Sequence, residues 1–263
     1  DNFTDPKIIE QLKGHTAIGH NRYSTTGAPL IRNIQPFFAD LHTGGLGIAH
    51  NGNLTNAISI REKMVKDGAI FQTTSDTETL VQLIARSKRV KTIDKIIDAI
   101  FQVHGGYALT IMTNKKLVGV RDPYGIRPLI LGKLNDSYIL SSETCALDII
   151  GAEYVREIEN GEMVVIDKNG IESIKPLPKV KPRPCVFEYV YFSRPDSIVG
   201  GKAVHEYRKR LGEQLSKEMK VEADIVSAVP DSGIPAAIGY SNESGIPYDM
   251  GIIRNHYVGR TFI

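Results

Sequence analysis

The stretch "GLGIAHNGNL", residues 45–54, changes character halfway along. Its first half is small and apolar, as a short strand requires, and its second half, "HNGN" at residues 50–53, is polar and contains a glycine. That order reads as a strand ending in a loop, and polar loops at strand ends are where function concentrates. "TAIGHNRYST", residues 16–25, repeats the pattern and sets Arg22 among hydroxyls.

Helices follow. "TTSDTETLVQLIARSK", residues 73–88, offers Ser75 as N-cap with Glu78 three residues on, a capping box, and places Leu80, Leu83 and Ile84 on one face. "TIDKIIDAIFQVHGG", residues 92–106, sets Ile93, Ile96, Ile97, Ile100 and Phe101 on one face and stops at Gly105-Gly106. From Tyr107 to Ile174 the pattern predicts strands with turns at Asn114-Lys115, Asn135-Asp136 and Asn169-Gly170. Strands, two helices and more strands predict an α+β sandwich rather than a doubly wound sheet.

"KPLPKVKPRP", residues 175–184, carries four prolines and four positive charges and reads as a semi-rigid linker between a domain over 1–174 and another over 185–263. Beyond it the pattern predicts a helix over 203–219, a buried strand "ADIVSAV" (223–229), the loop "PDSG" (230–233), a helix over 234–245 and a strand "IPYDMGIIR" (246–254). Strand, helix, strand is the pattern of a parallel α/β unit.

The chain has 263 residues, 41% hydrophobic and 24% charged, with a net charge of +2. Charges of both signs are interspersed, which argues against nucleic-acid and membrane partners and favours small-molecule chemistry. No apolar run approaches the roughly 18 to 20 residues of a membrane span. Cys145 and Cys185 lie in dissimilar contexts and suit a reducing, cytoplasmic compartment. A start at Asp1 and an end at "VGRTFI" read as a piece of something longer.

Three polar clusters in the first half are chemically complementary. Arg22 offers a planar fork of donors suited to a carboxylate, and Asp76 is suited to an ammonium. A glycine N–H beside an asparagine amide, Gly52 and Asn51, supplies two donors for the oxyanion of a tetrahedral intermediate. A free amino acid with a side-chain amide has all three handles. Singly, each cluster has a plainer reading: a surface ion pair for Arg22, a type I′ turn for "HNGN", a first-turn charge for Asp76.

In that order, "GHNRYSTTG", "GIAHNGNLTN", "TTSDTE", "HGGYAL" and "RDPYGIRPL" resemble the glutaminase domain of glutamine amidotransferases that use an N-terminal cysteine, a branch of the N-terminal-nucleophile hydrolases. "FEYVYFSRPDS", "VPDSGIPAAIGY" and "GIIRNHYVGRTFI" resemble members in which a phosphoribosyltransferase half follows. The resemblance implies an αββα sandwich and then part of a type I phosphoribosyltransferase parallel α/β domain. It implies that Arg22 and Asp76 hold the carboxylate and ammonium of glutamine, and that Asn51 and Gly52 form the oxyanion hole. In the second half it implies a pyrophosphate loop of Asp231, Ser232 and Gly233, with Ser232 near Mg²⁺, and a flexible loop using Arg254 and Tyr257. Cys185 matches one ligand of a [4Fe–4S] cluster, which needs four cysteines. Phosphoribosyl diphosphate is then the second substrate, purine nucleotides are feedback inhibitors, and the assembly is a homo-oligomer, dimer or tetramer.

One departure stands out: the family's nucleophile is a cysteine at the mature N-terminus, and residue 1 here is Asp1. Cys145, in "SSETCALDII", reads as a buried structural thiol rather than a substitute. The rival readings are a sugar-phosphate-aminating amidotransferase and a non-catalytic relative that binds glutamine or nucleotides.

Overall fold

The computed structural model describes residues 5–21, 30–255 and 257–259. The chain divides into two compact units, one of residues 1–131 and 158–184, the other of 132–157 and 185–263. The stretch 132–157, assigned to the 1–174 domain on sequence, thus groups with the second unit, and residues 175–184 group with the first.

The first unit is built on an antiparallel sheet with strand order β1-β2-β3-β4-β8-β9. These strands are β1 (Phe37–Leu41), β2 (Gly44–Leu54), β3 (Gly105–Thr113), β4 (Leu117–Arg121), β8 (Met163–Asp167) and β9 (Gly170–Ile174). The core is a layer of Leu46, Ile48 and Leu54 from β2, Leu109 and Ile111 from β3, and Val118, Val120, Met163 and Val165 from β4 and β8. After a short helix α1 (Pro6–Gln11), the helices that pack against it are α2 (Ala57–Lys66), α3 (Thr77–Arg86) and α4 (Thr92–Ile100), which contribute Met64, Leu80, Leu83, Ile84, Ile96 and Ile100. Burying each such side chain is worth about 1.5–3 kcal/mol, so the two-residue strand period and the 3.6-residue helix period dictate this layering.

Both helices expected here are present, with altered ends. Ile93 and Ile97 are partly buried against the core, but Phe101 is 54% exposed, because α4 stops at Ile100. Gly105-Gly106 open β3 rather than cap α4. The capping box is rewired: Ser75 Oγ accepts from the Thr77 N–H, while the Glu78 carboxylate takes the N–H groups of Gln72 and Thr73 at 2.8 Å each. The β8–β9 turn is Lys168-Asn169, one residue earlier than expected, since Asp167 pairs with Gly170. Residues 16–21 of the expected first strand lie outside every described strand, and the remainder of that stretch lies outside the described residues.

In residues 130–157, β5 (Ile130–Leu134), β6 (Ser137–Ser141) and β7 (Glu153–Glu157) form a second sheet of order β6-β5-β7, with α5 over Cys145–Ile150. In the second unit, a hairpin of β10 (Ile198–Val199) and β11 (Lys202–Ala203) leads into α6 (Val204–Glu218), which packs on α7 (Ile234–Ser244). A Cβ on Gly212 of α6 would sit 1.8 Å from the Ala236 carbonyl oxygen, and one on Gly239 of α7 would sit 2.0 Å from that of Lys209. Two glycines therefore let the helix backbones touch.

The two strands expected to flank α7 shrink to one parallel bridge, Val226 with Tyr248, in which Val226 N–H donates to Pro247 O at 2.8 Å and Asp249 N–H to Val226 O at 2.9 Å. The parallel sense is as expected, but the expected burial is not: Ile225 and Val229 are 49% and 71% exposed. Buried parallel strands need covering layers on both faces, and two short segments do not supply them. Among the described residues no helix is long and apolar enough to cross a membrane.

Gly212→Ala should force α6 and α7 apart and destabilise the second unit by about 1–3 kcal/mol. Gly245→Asn, at a left-handed helix end with open space around it, should cost a few tenths. Urea unfolding of the two variants checks the difference; equal costs would mean the close approach carries no weight.

Candidate functional site

The polar cluster "HNGN" is not a loop. β2 continues through it to Leu54, pairing Asn51 with Ala108, Gly52 with Tyr107 and Leu54 with Gly105. What permits this is Gly52, whose φ is +147° and whose Cβ, if present, would lie 2.0 Å from the Gly106 carbonyl oxygen. Only glycine tolerates that approach. The turn reading of these residues is therefore set aside, and the polar groups project from a central strand rather than a mobile tip.

Strand alternation sends His50 to the helix-covered face and Asn51 to the other. His50 is buried, its Nδ1 3.1 Å from Thr77 Oγ1 and 3.7 Å from Asp76 Oδ1. The Gln35 side chain clamps its backbone, accepting from His50 N–H at 2.7 Å and donating to His50 O at 3.4 Å. Asp76, 8% exposed just ahead of α3, accepts the Leu54 N–H at 2.8 Å, which ties the helix start to the end of β2. The "TTSD" segment is anchored by Asn33, which accepts from Thr74 N–H at 3.0 Å and donates to Thr74 Oγ1 at 2.8 Å.

On the other face of β2, Arg127 Nη2 donates to Asn51 Oδ1 at 2.7 Å. Arg127 sits in "RDPYGIRPL", a motif whose individual residues received no role on sequence. A sequence signal was present: an arginine in a Gly/Pro loop has few structural duties, but its partner, 76 residues away, could not be read. Asn51 and Gly52 thus lie among the last residues of β2, Asp76 is tied to the strand's final residue, Leu54, and Arg22 lies outside the described residues.

In the second unit, Asp231 and Arg254 are joined by an ion pair of 2.9 Å. Ser232 is exposed, and Gly233 is the N-cap of α7, its N–H donating to Val229 O at 3.2 Å. Tyr257 is fully exposed. Cys145 is buried at the start of α5, its thiol 3.7 Å from Glu143 Oε2; burial, reinforced by that carboxylate, pushes its pKa up and keeps it protonated. Cys185 is half-buried, and neither cysteine is in a disulfide. Among the described residues no three His, Cys, Asp or Glu side chains gather in a way that could hold a metal ion.

Residues 20–148 match the family model of a glutamine amidotransferase domain. Together with the site around β2, this defines the class: the chain carries a glutamine amidotransferase domain. Along its whole length it is similar to proteins named amidophosphoribosyltransferase. It is 54% identical over 268 residues to that of Rhizobium etli, matching 100% of this chain and 54% of the relative. It is 47% identical to that of Bacillus subtilis, matching 97% of this chain and 54% of the relative. It is also similar to solved structures of the allosteric regulatory enzyme of purine biosynthesis (TM-score 0.88, 47% identity) and of B. subtilis glutamine phosphoribosylpyrophosphate amidotransferase complexed with ADP and GMP (TM-score 0.87, 46%). Each covers 93% of this chain and 53% of its own. The chain spans about half the length of the curated relatives it matches.

Burial holds the His50 imidazole below its ordinary pKa, with His20 and Arg127 adding to the shift and the Asp76 carboxylate opposing it. The folded chain therefore binds fewer protons than the unfolded one as pH falls past the ordinary value of about 6.5. Stability from this group is complete above that pH and is lost as pH drops toward the lower folded value. His50→Gln should flatten the dependence of the urea midpoint on pH between about 7.5 and 5.5; an unchanged slope would place the dependence elsewhere.

Proposed function

We propose that the whole protein transfers the amide nitrogen of glutamine to C1 of phosphoribosyl diphosphate, releasing pyrophosphate and giving 5-phosphoribosylamine, the first step of purine synthesis. The observation that carries this reading is a single similarity of about half identity running through both units, glutaminase motifs and "VPDSGIP" alike. A sugar-phosphate-aminating relative would have no use for the second motif.

In this reading Arg22 and Asp76 grip the two charged ends of glutamine. The amide of Asn51 and the N–H of Gly52 then receive the oxyanion as a thiolate attacks the side-chain carbonyl, and ammonia departs. The family's thiolate is an N-terminal cysteine, and Cys145, a buried thiol whose pKa burial pushes up, is unsuited to that part. Ammonia is mostly protonated in water near neutral pH, so a dry route and a closing loop, here Arg254 and Tyr257, keep it nucleophilic.

Asp231, Ser232 and Gly233 lead into α7, where backbone N–H groups favour the pyrophosphate. The donors present, one carboxylate already paired with Arg254 and one hydroxyl, do not make a magnesium cage. They fit a Mg²⁺ carried on the diphosphate, with Ser232 supplying an oxygen. A [4Fe–4S] cluster would need ligands besides Cys185. One similar structure is complexed with ADP and GMP, which supports the proposal that purine nucleotides bind as inhibitors; a homo-oligomer is proposed from the family resemblance alone. The compartment proposed is the cytoplasm, although the Arabidopsis and soybean relatives are chloroplastic by name.

In the whole protein, Asn51→Ala should lower glutaminase kcat by about 10²- to 10³-fold with little change in KM for glutamine, since that donor acts on charge developed in the transition state. Arg22→Lys should instead raise KM steeply, because an ammonium cannot reproduce the guanidinium fork. Steady-state glutamine hydrolysis and phosphoribosylamine formation, with glutamine or ammonium as donor, check both. A parent protein that makes no phosphoribosylamine from either donor would overturn the function.

A further inference from the structure

An asparagine amide serves an oxyanion only if its –NH₂ end faces the substrate, and the two ends of the amide are nearly the same size. Something must choose. The bond of 2.7 Å from Arg127 Nη2 to Asn51 Oδ1 makes that choice, because a guanidinium has only donors and accepts no –NH₂ in front of it.

Arg127 is itself held with unusual completeness. Its N–H donates to Asp122 Oδ2 at 3.1 Å, and its carbonyl accepts from Arg121 Nε at 2.9 Å. The Asp122 carboxylate, with no exposure, also takes the N–H groups of Tyr124 at 2.9 Å and Ile126 at 3.1 Å. Arg121, 7% exposed, reaches the Ile158 carbonyl at 2.7 Å as well. A buried acid and its neighbouring base thus fix both backbone groups of one loop residue, whose side chain ends on the proposed oxyanion donor.

Resting on the proposed glutaminase function, we propose that Arg127 is a positioning residue: it orients the Asn51 amide so that its –NH₂ faces the oxyanion, and through that amide it sets the rate of glutamine hydrolysis. Charge adds to the effect, since a cation on Oδ1 polarises the amide and makes its –NH₂ a better donor.

The test is a double-mutant cycle in the whole protein. Arg127→Met should lower glutaminase kcat on the order of tenfold or more with KM for glutamine little changed, as expected when a charge-assisted bond to a transition-state donor is lost. In an Asn51→Ala background the same change should have no more than about a twofold effect. Arg127→Lys, which still donates to Oδ1, should recover part of the rate. A second readout needs no turnover: with ¹⁵N-asparagine labelling, the Asn51 side-chain –NH₂ pair should shift or broaden in Arg127→Met. If Arg127→Met does not fold, Arg127→Lys and Arg127→Gln carry both readouts. Multiplicative effects in the cycle, or a rise in KM with kcat intact, would overturn the assignment, as would an –NH₂ pair identical in parent and variant. A parent that hydrolyses no glutamine would defeat the glutaminase reading, while the labelled amide still reports whether Arg127 orients Asn51.

Discussion

A carboxylate with no contact with water, Asp122, is the constraint on which the first unit's chemistry depends. Burial raises its pKa, and the main-chain N–H groups of Tyr107, Tyr124, Ile126 and Arg127 oppose that rise by stabilising the anion. Three of these donors, those of Tyr124, Ile126 and Arg127, are loop amides, so for them one side chain replaces the ladder a strand would have supplied. The loop after β4 acquires the rigidity of an element without being one. Its order passes to Arg127, then to Asn51, then to the face of β2 on which the proposed chemistry occurs.

The hydrophobic layering was legible in the sequence because it is written in local periods. Leu80, Leu83 and Ile84, and Ile96 with Ile100, recur at helical spacing and lie in the core. The error at "HNGN" came from reading polarity and glycine as loop signals. There a glycine serves close backbone contact between two paired strands, and polar side chains are tolerated in a central strand because His50 finds Thr77 of α3 on one face and Asn51 finds Arg127 of the loop after β4 on the other. The capping box failed for a related reason: Glu78 had a better offer from the N–H groups of Gln72 and Thr73 than from its own helix start.

For the candidate site, residue types were readable and their arrangement was not. Asn51, Gly52 and Asp76 were marked by what an amide substrate demands, but Arg127 was not, because its relation to Asn51 exists only after four strands have been placed in order. In the second unit the parallel sense of Val226 and Tyr248 followed from strand-helix-strand logic. The close approach of α6 and α7 did not, since Gly212 and Gly239 sit within helical patterns where glycine ordinarily signals weakness.

The Gln35 clamp on His50 has a consequence for the border of the sheet. β1 pairs with β2 from Phe37 opposite Ile48 onward, and extending that register backward would set Pro36 opposite Ala49 and Gln35 opposite His50. Proline has no N–H to give, so main-chain pairing ends there. A side-chain amide has the same donor and acceptor as a peptide group, and Gln35 uses both on the next residue of β2. One side chain impersonates the missing length of strand. The rung of β2 at His50, beside the proposed catalytic face, is thus filled from within the chain.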